Sequence, residues 1–256
     1  MKLRLLPFIL LAVLGATAAH ADRYRHTEPF RFTSAFNPDA RVSVSNVNGQ
    51  VTVTTWDRPE ILIEGEKRAK SADDLERIEL IYQLDADRAD VEVKLPKKRG
   101  WFFGSTIDGN VSIHVTVPAT VDLRNIRTVN GSIEIEGVAG AAHASSVNGR
   151  IRAHHLGGDA DFHSVNGPID ADFDHVPSAA RLSFDTVNGR IRVNLPADTG
   201  AEVSASVVNG SINTDLPIAV KGKFIKKHLN GTIGDGGARI DASAVNGSIH
   251  FTTNDS

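Results

Sequence analysis

The chain contains no cysteine, a single methionine and two tryptophans, and aromatic residues make up only 6% of its 256 positions. Without cysteine there is no disulfide framework, no thiolate nucleophile and no cysteine-based zinc site. Stability has to come from packing and backbone pairing. Helical periodicity is almost lacking as well: only Ser71 to Ile78, around Ala72-Asp73-Asp74-Leu75-Glu76, predicts one or two helical turns. Beyond the first twenty residues no apolar run approaches the span of a bilayer. Charge of one sign is not in excess either. Lys and Arg number 28 against 31 Asp and Glu, a net charge of −3, which lacks the basic footprint of a nucleic-acid binder. No Gly-x-Ser-x-Gly elbow, phosphate-binding loop or dinucleotide fingerprint occurs, so neither an enzyme nor a cofactor is expected.

The first residues do carry a message. Lys2 and Arg4 precede an apolar stretch from Leu5 to Leu14, and Ala19-His20-Ala21 is a small-x-small cleavage site. This is the pattern of a secretory signal peptide over residues 1–21, with Asp22 as the first mature residue. The expectation is a periplasmic or secreted protein with no transmembrane segment after cleavage near Ala21.

What the chain has in abundance is one repeated unit. Val-Asn-Gly occurs at Asn48-Gly49, Asn130-Gly131, Asn148-Gly149, Asn166-Gly167, Asn188-Gly189, Asn209-Gly210 and Asn246-Gly247. Leu229-Asn230-Gly231 is a near copy, and Ile107-Asp108-Gly109 a weaker one. From Asn130 onward the units follow one another in steps of 16 to 22 residues. Two positions after each glycine of that series stands an isoleucine: Ile133, Ile151, Ile169, Ile191, Ile212, Ile233 and Ile249. Both flanks alternate apolar and polar with period two, as in Ala160 and Phe162 before Asn166, and Ile169 and Ala171 after it, which predicts strands with one buried face. Asn and Gly tolerate left-handed backbone best, so each Asn-Gly is expected to be a structural turn.

Two architectures can use this unit. Asn-Gly between alternating strands is a hairpin signal, but a hairpin would set Ser146 opposite Ile151 and Ser164 opposite Ile169, mismatching the faces. Pro168 also lacks the N–H that closes a two-residue hairpin. The alternative, which the pattern favours, is an all-β, single-stranded β-solenoid resembling a parallel β-helix, with Asn-Gly as a corner and equivalent strands stacked in parallel. Such stacking brings Glu134, Arg152, Asp170 and Arg192 into one file of alternating sign, about one strand spacing of 4.8 Å apart. The expected organisation is a signal peptide (1–21), an N-terminal β region with the first repeat (22–110) capping the solenoid, and the repeat array (111–256).

The Val-Asn-Gly-x-Ile series, together with Val111-Ser112-Ile113-His114-Val115-Thr116-Val117-Pro118 and Arg190-Ile191-Arg192-Val193-Asn194-Leu195-Pro196, resembles the bacterial putative-adhesin family, a domain family of unknown function with β-strand repeats. The resemblance spans about Phe32 to Phe251 and implies a solenoid-like, noncatalytic domain, with no catalytic residues to carry over. The chain departs from the pattern at Lys221 to His228, where Lys226 stands at a position that is apolar in most other units.

Three segments are candidates for chemistry. Asp170, Asp172 and Asp174 alternate with Ala171 and Phe173; they suit a cation site or an acid pair for cleaving sugars, but period two makes a solvated strand face the better reading. His143, His154, His155, His163 and His175 cluster in sequence without a metal-ligand spacing, so no metal is expected. Lys97, Lys98 and Arg99 beside Trp101, Phe102 and Phe103 suit an anionic membrane surface or a partner groove, and are the candidate binding residues. The function that follows is a noncatalytic exported envelope protein. It would present its solenoid for adhesion or for interaction with an envelope protein, a polymer or a membrane surface. A carbohydrate-active β-helix enzyme and an envelope-stress sensor or accessory protein are the alternatives.

Overall fold

The computed structural model describes residues 24–95, 108–220 and 227–253. Its N-terminal part runs β1 (His26–Ala35), β2 (Arg41–Ser45), β3 (Val51–Trp56), β4 (Glu60–Ala69), the short helix α1 (Ala72–Glu76), β5 (Glu79–Leu84), β6 (Arg88–Lys94) and β7 (Gly109–Pro118). The helix lies where the sequence predicts it, and Ser71 caps it by accepting the Asp74 N–H. The repeats follow as strand pairs either side of each Asn-Gly: β8 (Asp122–Asn130) and β9 (Ile133–Glu136), β10 (Ala142–Asn148) and β11 (Ile151–Leu156), β12 (Ala160–Asn166) and β13 (Ile169–Phe173), β14 (Arg181–Asn188) and β15 (Ile191–Leu195). The chain closes with β16 (Ala201–Thr214), β17 (Ile218–Val220), β18 (His228–Ile233) and β19 (Ala238–Thr253).

Equivalent strands stack in parallel, coil upon coil, which is a β-solenoid. Asn148 pairs with Asn130 and Asn166, and Ile151 with Ile133 and Ile169. A hairpin across each Asn-Gly would instead pair the two flanks with each other. Each coil has two strands bent at the corner, and a short loop returns the chain to the next coil. The two flanks alternate because alternate side chains point into the space between the two strands. There Val51, Ile133, Ile151, Ile169, Ile191, Ile249 and Ile212 form one file, none more than 3% exposed. Burying each such side chain is worth roughly 1.5–3 kcal/mol, so the file is a large share of what holds the coils together. Phe162, Phe173 and Phe184 fill the same core edge to face, with ring centroids 5.8 Å apart for Phe162 and Phe184 and 6.4 Å for Phe173 and Phe184.

The coils are not stacked in chain order. β2 and β3, with Asn48, sit beside β8 and β9, and the later strands β6 and β7 lie outside them. The first repeat is therefore an integral coil of the stack. At the other end β19 lies directly on β14 and β15, and β16 stacks outside β19. The last repeat in sequence is thus inserted before its predecessor. Asn230 and Gly231, read from sequence as a corner, are not one. They lie inside β18, which runs antiparallel to β16 with Ser204 opposite Asn230, and Ile233 pairs with Ala201 and Ile218 instead of joining the file of isoleucines. The physical reason is edge protection. The antiparallel return ends the parallel stack by laying β18 and then the short β17 over the outer edge of β16. The opposite end also finishes in antiparallel strands, β5 on β6, β4 on β7 and β1 on β4.

Candidate functional site

The corner is built from three files of side chains, and its asparagines do not use left-handed backbone. Among the described residues His155 alone of the non-glycines has positive φ, and of the corner glycines only Gly49 and Gly210 do. The asparagines instead form a ladder. Asn130 Nδ2 donates to Asn48 Oδ1 at 2.8 Å, Asn148 to Asn130 at 2.8 Å, Asn166 to Asn148 at 2.9 Å, Asn188 to Asn166 at 2.8 Å, Asn246 to Asn188 at 2.8 Å and Asn209 to Asn246 at 3.0 Å. Asn48 ends the run by donating to the Gly109 carbonyl at 3.0 Å. The glycines are there for close approach. A Cβ built on Gly131, Gly149, Gly167, Gly189 or Gly247 would lie inside 3.0 Å of the carbonyl oxygen of the corner glycine one coil before. Those carbonyls also receive buried hydroxyls: Thr128 donates to Gly49 at 3.2 Å, Ser146 to Gly131 at 3.1 Å, Ser164 to Gly149 at 3.3 Å and Thr186 to Gly167 at 3.2 Å. A buried polar oxygen left unpaired is costly, so these small hydroxyls two residues before Asn130, Asn148, Asn166 and Asn188 fit the site.

With the hydroxyls pointing inward, the residues on either side of them must point out. The valine before each Asn therefore lies on the surface. Val129, Val147, Val165, Val187, Val208 and Val245 are 38–58% exposed, and Val47 extends their file. Beside them runs a second outward file, Ser45, Arg127, Ser145, His163, Asp185 and Ser243. Between the two lies a groove of about 650 Å³ along the solenoid axis, floored by the buried hydroxyls and flanked at one end by Glu92 and Val93 of β6. The recurrence of valine one residue out of phase with the inward positions was the sequence signal for this surface.

The strands after the corner carry polar files on their outer face. Glu134, Arg152, Asp170 and Arg192 stand in register, as parallel stacking predicts, with Arg152–Glu134 at 3.9 Å and Arg192–Asp170 at 3.8 Å. Asp170 is not part of a uniformly solvated face. Its side chain is 12% exposed, Arg190 approaches it at 3.6 Å, and its neighbours Asp172 and Asp174 are 26% and 63% exposed. Asp172 joins His154 and Asn194, and Asn194 in turn accepts from Thr252. Four of the histidines that look unorganised in sequence find carboxylates, on a neighbouring coil for His143, His154 and His155 and on both its own strand and the next coil for His163. His155 lies 3.0 Å from Asp174, His143 3.6 Å from Asp161, and His163 sits between Asp161 (2.8 Å) and Asp185 (3.3 Å). The hydrogen bond to Asp174 raises the His155 pKa above the ordinary 6.5, and that to Asp185 raises His163 against a lowering by burial. Among the described residues no group of three or more His, Asp or Glu is arranged to hold a metal ion. Lys97, Lys98, Arg99, Trp101, Phe102 and Phe103 lie outside the described residues.

Parallel two-strand coils with an asparagine-laddered corner define the class, a β-solenoid. Residues 105–252 match the Toastrack DUF4097 model, and the chain belongs to that family. No functionally curated protein matches it. Among solved structures it is similar to a putative cell adhesion protein from Clostridium sporogenes ATCC 15579, at 14% identity and a TM-score of 0.53, covering 89% of this chain and 100% of that one. A putative adhesin from Bacteroides fragilis NCTC 9343 follows at 10% identity and a TM-score of 0.39, covering 88% and 97%. The Clostridium structure bears on the fold alone. Among the described residues no helix is long and apolar enough to cross a membrane.

Proposed function

We propose that this is an exported, noncatalytic envelope protein that presents a rigid solenoid as a contact surface, in adhesion or in docking to an envelope protein or polymer. The observation that carries the reading is the outward valine file. A strand face that only meets water has no use for valine at every coil, and contiguous exposed apolar rows are characteristic of contact sites. The asparagine ladder beneath it keeps the valines at a fixed spacing of about 4.8 Å, so a partner would meet a preorganised surface and lose little binding energy to ordering it.

Two measurements test this. Mass spectrometry of the protein recovered from the envelope should find Asp22 at its N-terminus, and an intact Met1 there would overturn export. Replacing Val147, Val165 and Val187 together by Ser removes exposed methyl groups and leaves the core untouched. Retention on washed envelopes should fall while the melting temperature holds; unchanged retention would overturn the contact reading.

A further inference from the structure

The valine face is complementary to itself, and we propose that a second copy of this chain covers it, the two solenoids lying face to face with antiparallel axes. The inference rests on the reading of this face as a contact surface and names its partner. Two sheets facing one another about a twofold axis along the strand direction keep each file opposite its own copy but reverse the order of the coils. Place that axis between the coils of Asn148 and Asn166. Val147 then meets Val165 of the other copy, Val129 meets Val187, and Val47 meets Val245. In the neighbouring file Ser145 meets His163, Ser45 meets Ser243, and Arg127 meets Asp185.

The last pair selects this arrangement. Arg127 is exposed and donates to Ser45 Oγ at 2.9 Å, but makes no ion pair with any described residue of its own chain. Asp185 lies three coils away on the same file, about 14 Å at the strand spacing, too far to reach it. Their equal distances from the axis mean that the twofold brings each onto the other in the second copy, so the interface would contain the pair twice. Sliding the second copy by one coil in either direction puts Arg127 against His163 or Ser243 instead. Charge thus sets the register, while the valines supply apolar area. The six coils that this axis pairs span about 24 Å and a seven-residue strand about 23 Å. The face then offers about 550 Å² per copy, about 1,100 Å² in all, above the roughly 1,000 Å² that a specific interface needs.

Sedimentation equilibrium of the purified protein tests this. A concentration-dependent dimer is expected. Arg127→Asp alone, or Asp185→Arg alone, turns two attractions into two repulsions and should raise the dissociation constant roughly tenfold or more. The double charge swap should restore it, because the swapped pair is attractive again. Val165→Lys, at the centre, should leave a monomer with the far-UV dichroism and melting temperature of the parent. A wild-type protein that stays monomeric at about 100 µM, within the weak regime of affinities, overturns the proposal. So does a dimer indifferent to Arg127→Asp and Val165→Lys, or one that the swap does not rescue. The envelope assay is independent of these outcomes: a monomer still retained through its valines overturns the dimer alone, and a swap-rescued dimer with unchanged envelope retention overturns the envelope contact alone.

Discussion

Replacing Gly167 by Ala adds one methyl group to a corner, and the sign of its effect separates two accounts of why glycine stands there. Gly167 does not have positive φ. If only backbone freedom mattered, the substitution would stabilise by about 0.4–1 kcal/mol, by restricting the unfolded chain. The structure leads to the opposite result. The new Cβ would fall inside 3.0 Å of the Gly149 carbonyl oxygen and near its carbon, with the Arg150 N at 3.2 Å. Those atoms are backbone, held by the Gly149 N–H donating to the Asn166 carbonyl at 3.1 Å and by the Ser164 hydroxyl at 3.3 Å, so they cannot move without breaking pairing on two coils. Overpacking of this kind costs about 1–3 kcal/mol, with a lost corner hydrogen bond adding about 1. We expect a loss of about 2–4 kcal/mol, a fall in melting temperature of about 4–16 °C for a domain of this size. Gly157→Ala is the control. It is also without positive φ, but its Cβ would come no nearer than 3.3 Å to the Ala139 Cα, with the Ala139 Cβ at 3.5 Å and carbonyl oxygen at 3.7 Å, so it should cost far less than Gly167→Ala. Urea unfolding of both variants, followed by far-UV dichroism at unchanged slope, measures the difference. A Gly167→Ala variant as stable as the parent would refute the close-approach argument.

Ile169→Ala, in the middle of the fully buried file, should cost about 2–5 kcal/mol in the same unfolding assay through lost burial and a cavity its stacked neighbours cannot fill. Asn148→Ala removes one rung donor and one acceptor of the ladder and should cost about 1–2 kcal/mol, whereas Asn148→Asp keeps the acceptor and should cost less. The raised His163 pKa means that the folded state holds its proton more tightly than the unfolded one. The associated stability is therefore fully present below pH 6.5 and is lost as pH rises through the raised folded value. Asp185→Asn should bring the His163 titration, followed by NMR, back toward 6.5 and flatten that loss; a titration unmoved by the substitution would contradict the assignment of the shift to Asp185.

The solenoid was legible because Ile151, Ile169 and Ile191 repeat at the same offset from their corners, and because Ser146 and Ser164 would have clashed in character with those isoleucines across a hairpin. The alternating file of Glu134, Arg152, Asp170 and Arg192 was legible for the same reason: a fixed offset becomes a fixed place once coils stack in parallel. What sequence could not convey was which coil neighbours which. Asn246 and Asn209 carry the same local pattern, and nothing within either unit says that Asn246 stacks on Asn188 first. Asn230 shares the motif too, and only its place at an edge turns it into a strand. The histidine–carboxylate pairs were hidden because His163 and Asp185 are neighbours across coils and 22 positions apart in the chain. The glycine requirement was visible but its cause was not, since left-handed φ and close backbone approach select the same residue. Of the site, the valines were visible in the sequence as part of the repeat, but their exposure follows from the inward turn of the residues beside them.

The out-of-order coils also shape the route by which this chain folds. In a solenoid stacked in sequence, each coil can add to the one before as the chain emerges, and stability is close to a sum of neighbour terms. Here the coil of Asn48 finds its inner neighbour, Asn130, 82 residues later, and Asn246 reaches back 58 residues to Asn188. β15 and β16, adjacent in sequence, do not pair; β16 docks through β19 and β18. The segment Ala201–Thr214 must therefore wait, unpaired with the growing stack, until β19 arrives to seat it. Nucleation belongs to the locally stacked middle, Asn130 to Asn188, and closure of both ends comes late and over long loops, which slows folding. Once closed, the coils of Asn48 and Asn246 cannot peel away alone, because each is gripped on both sides by strands distant from it in the chain. Hydrogen exchange should then show the coils of Asn48 and Asn246, each held between strands distant in the chain, opening together with the middle, without fraying ahead of it.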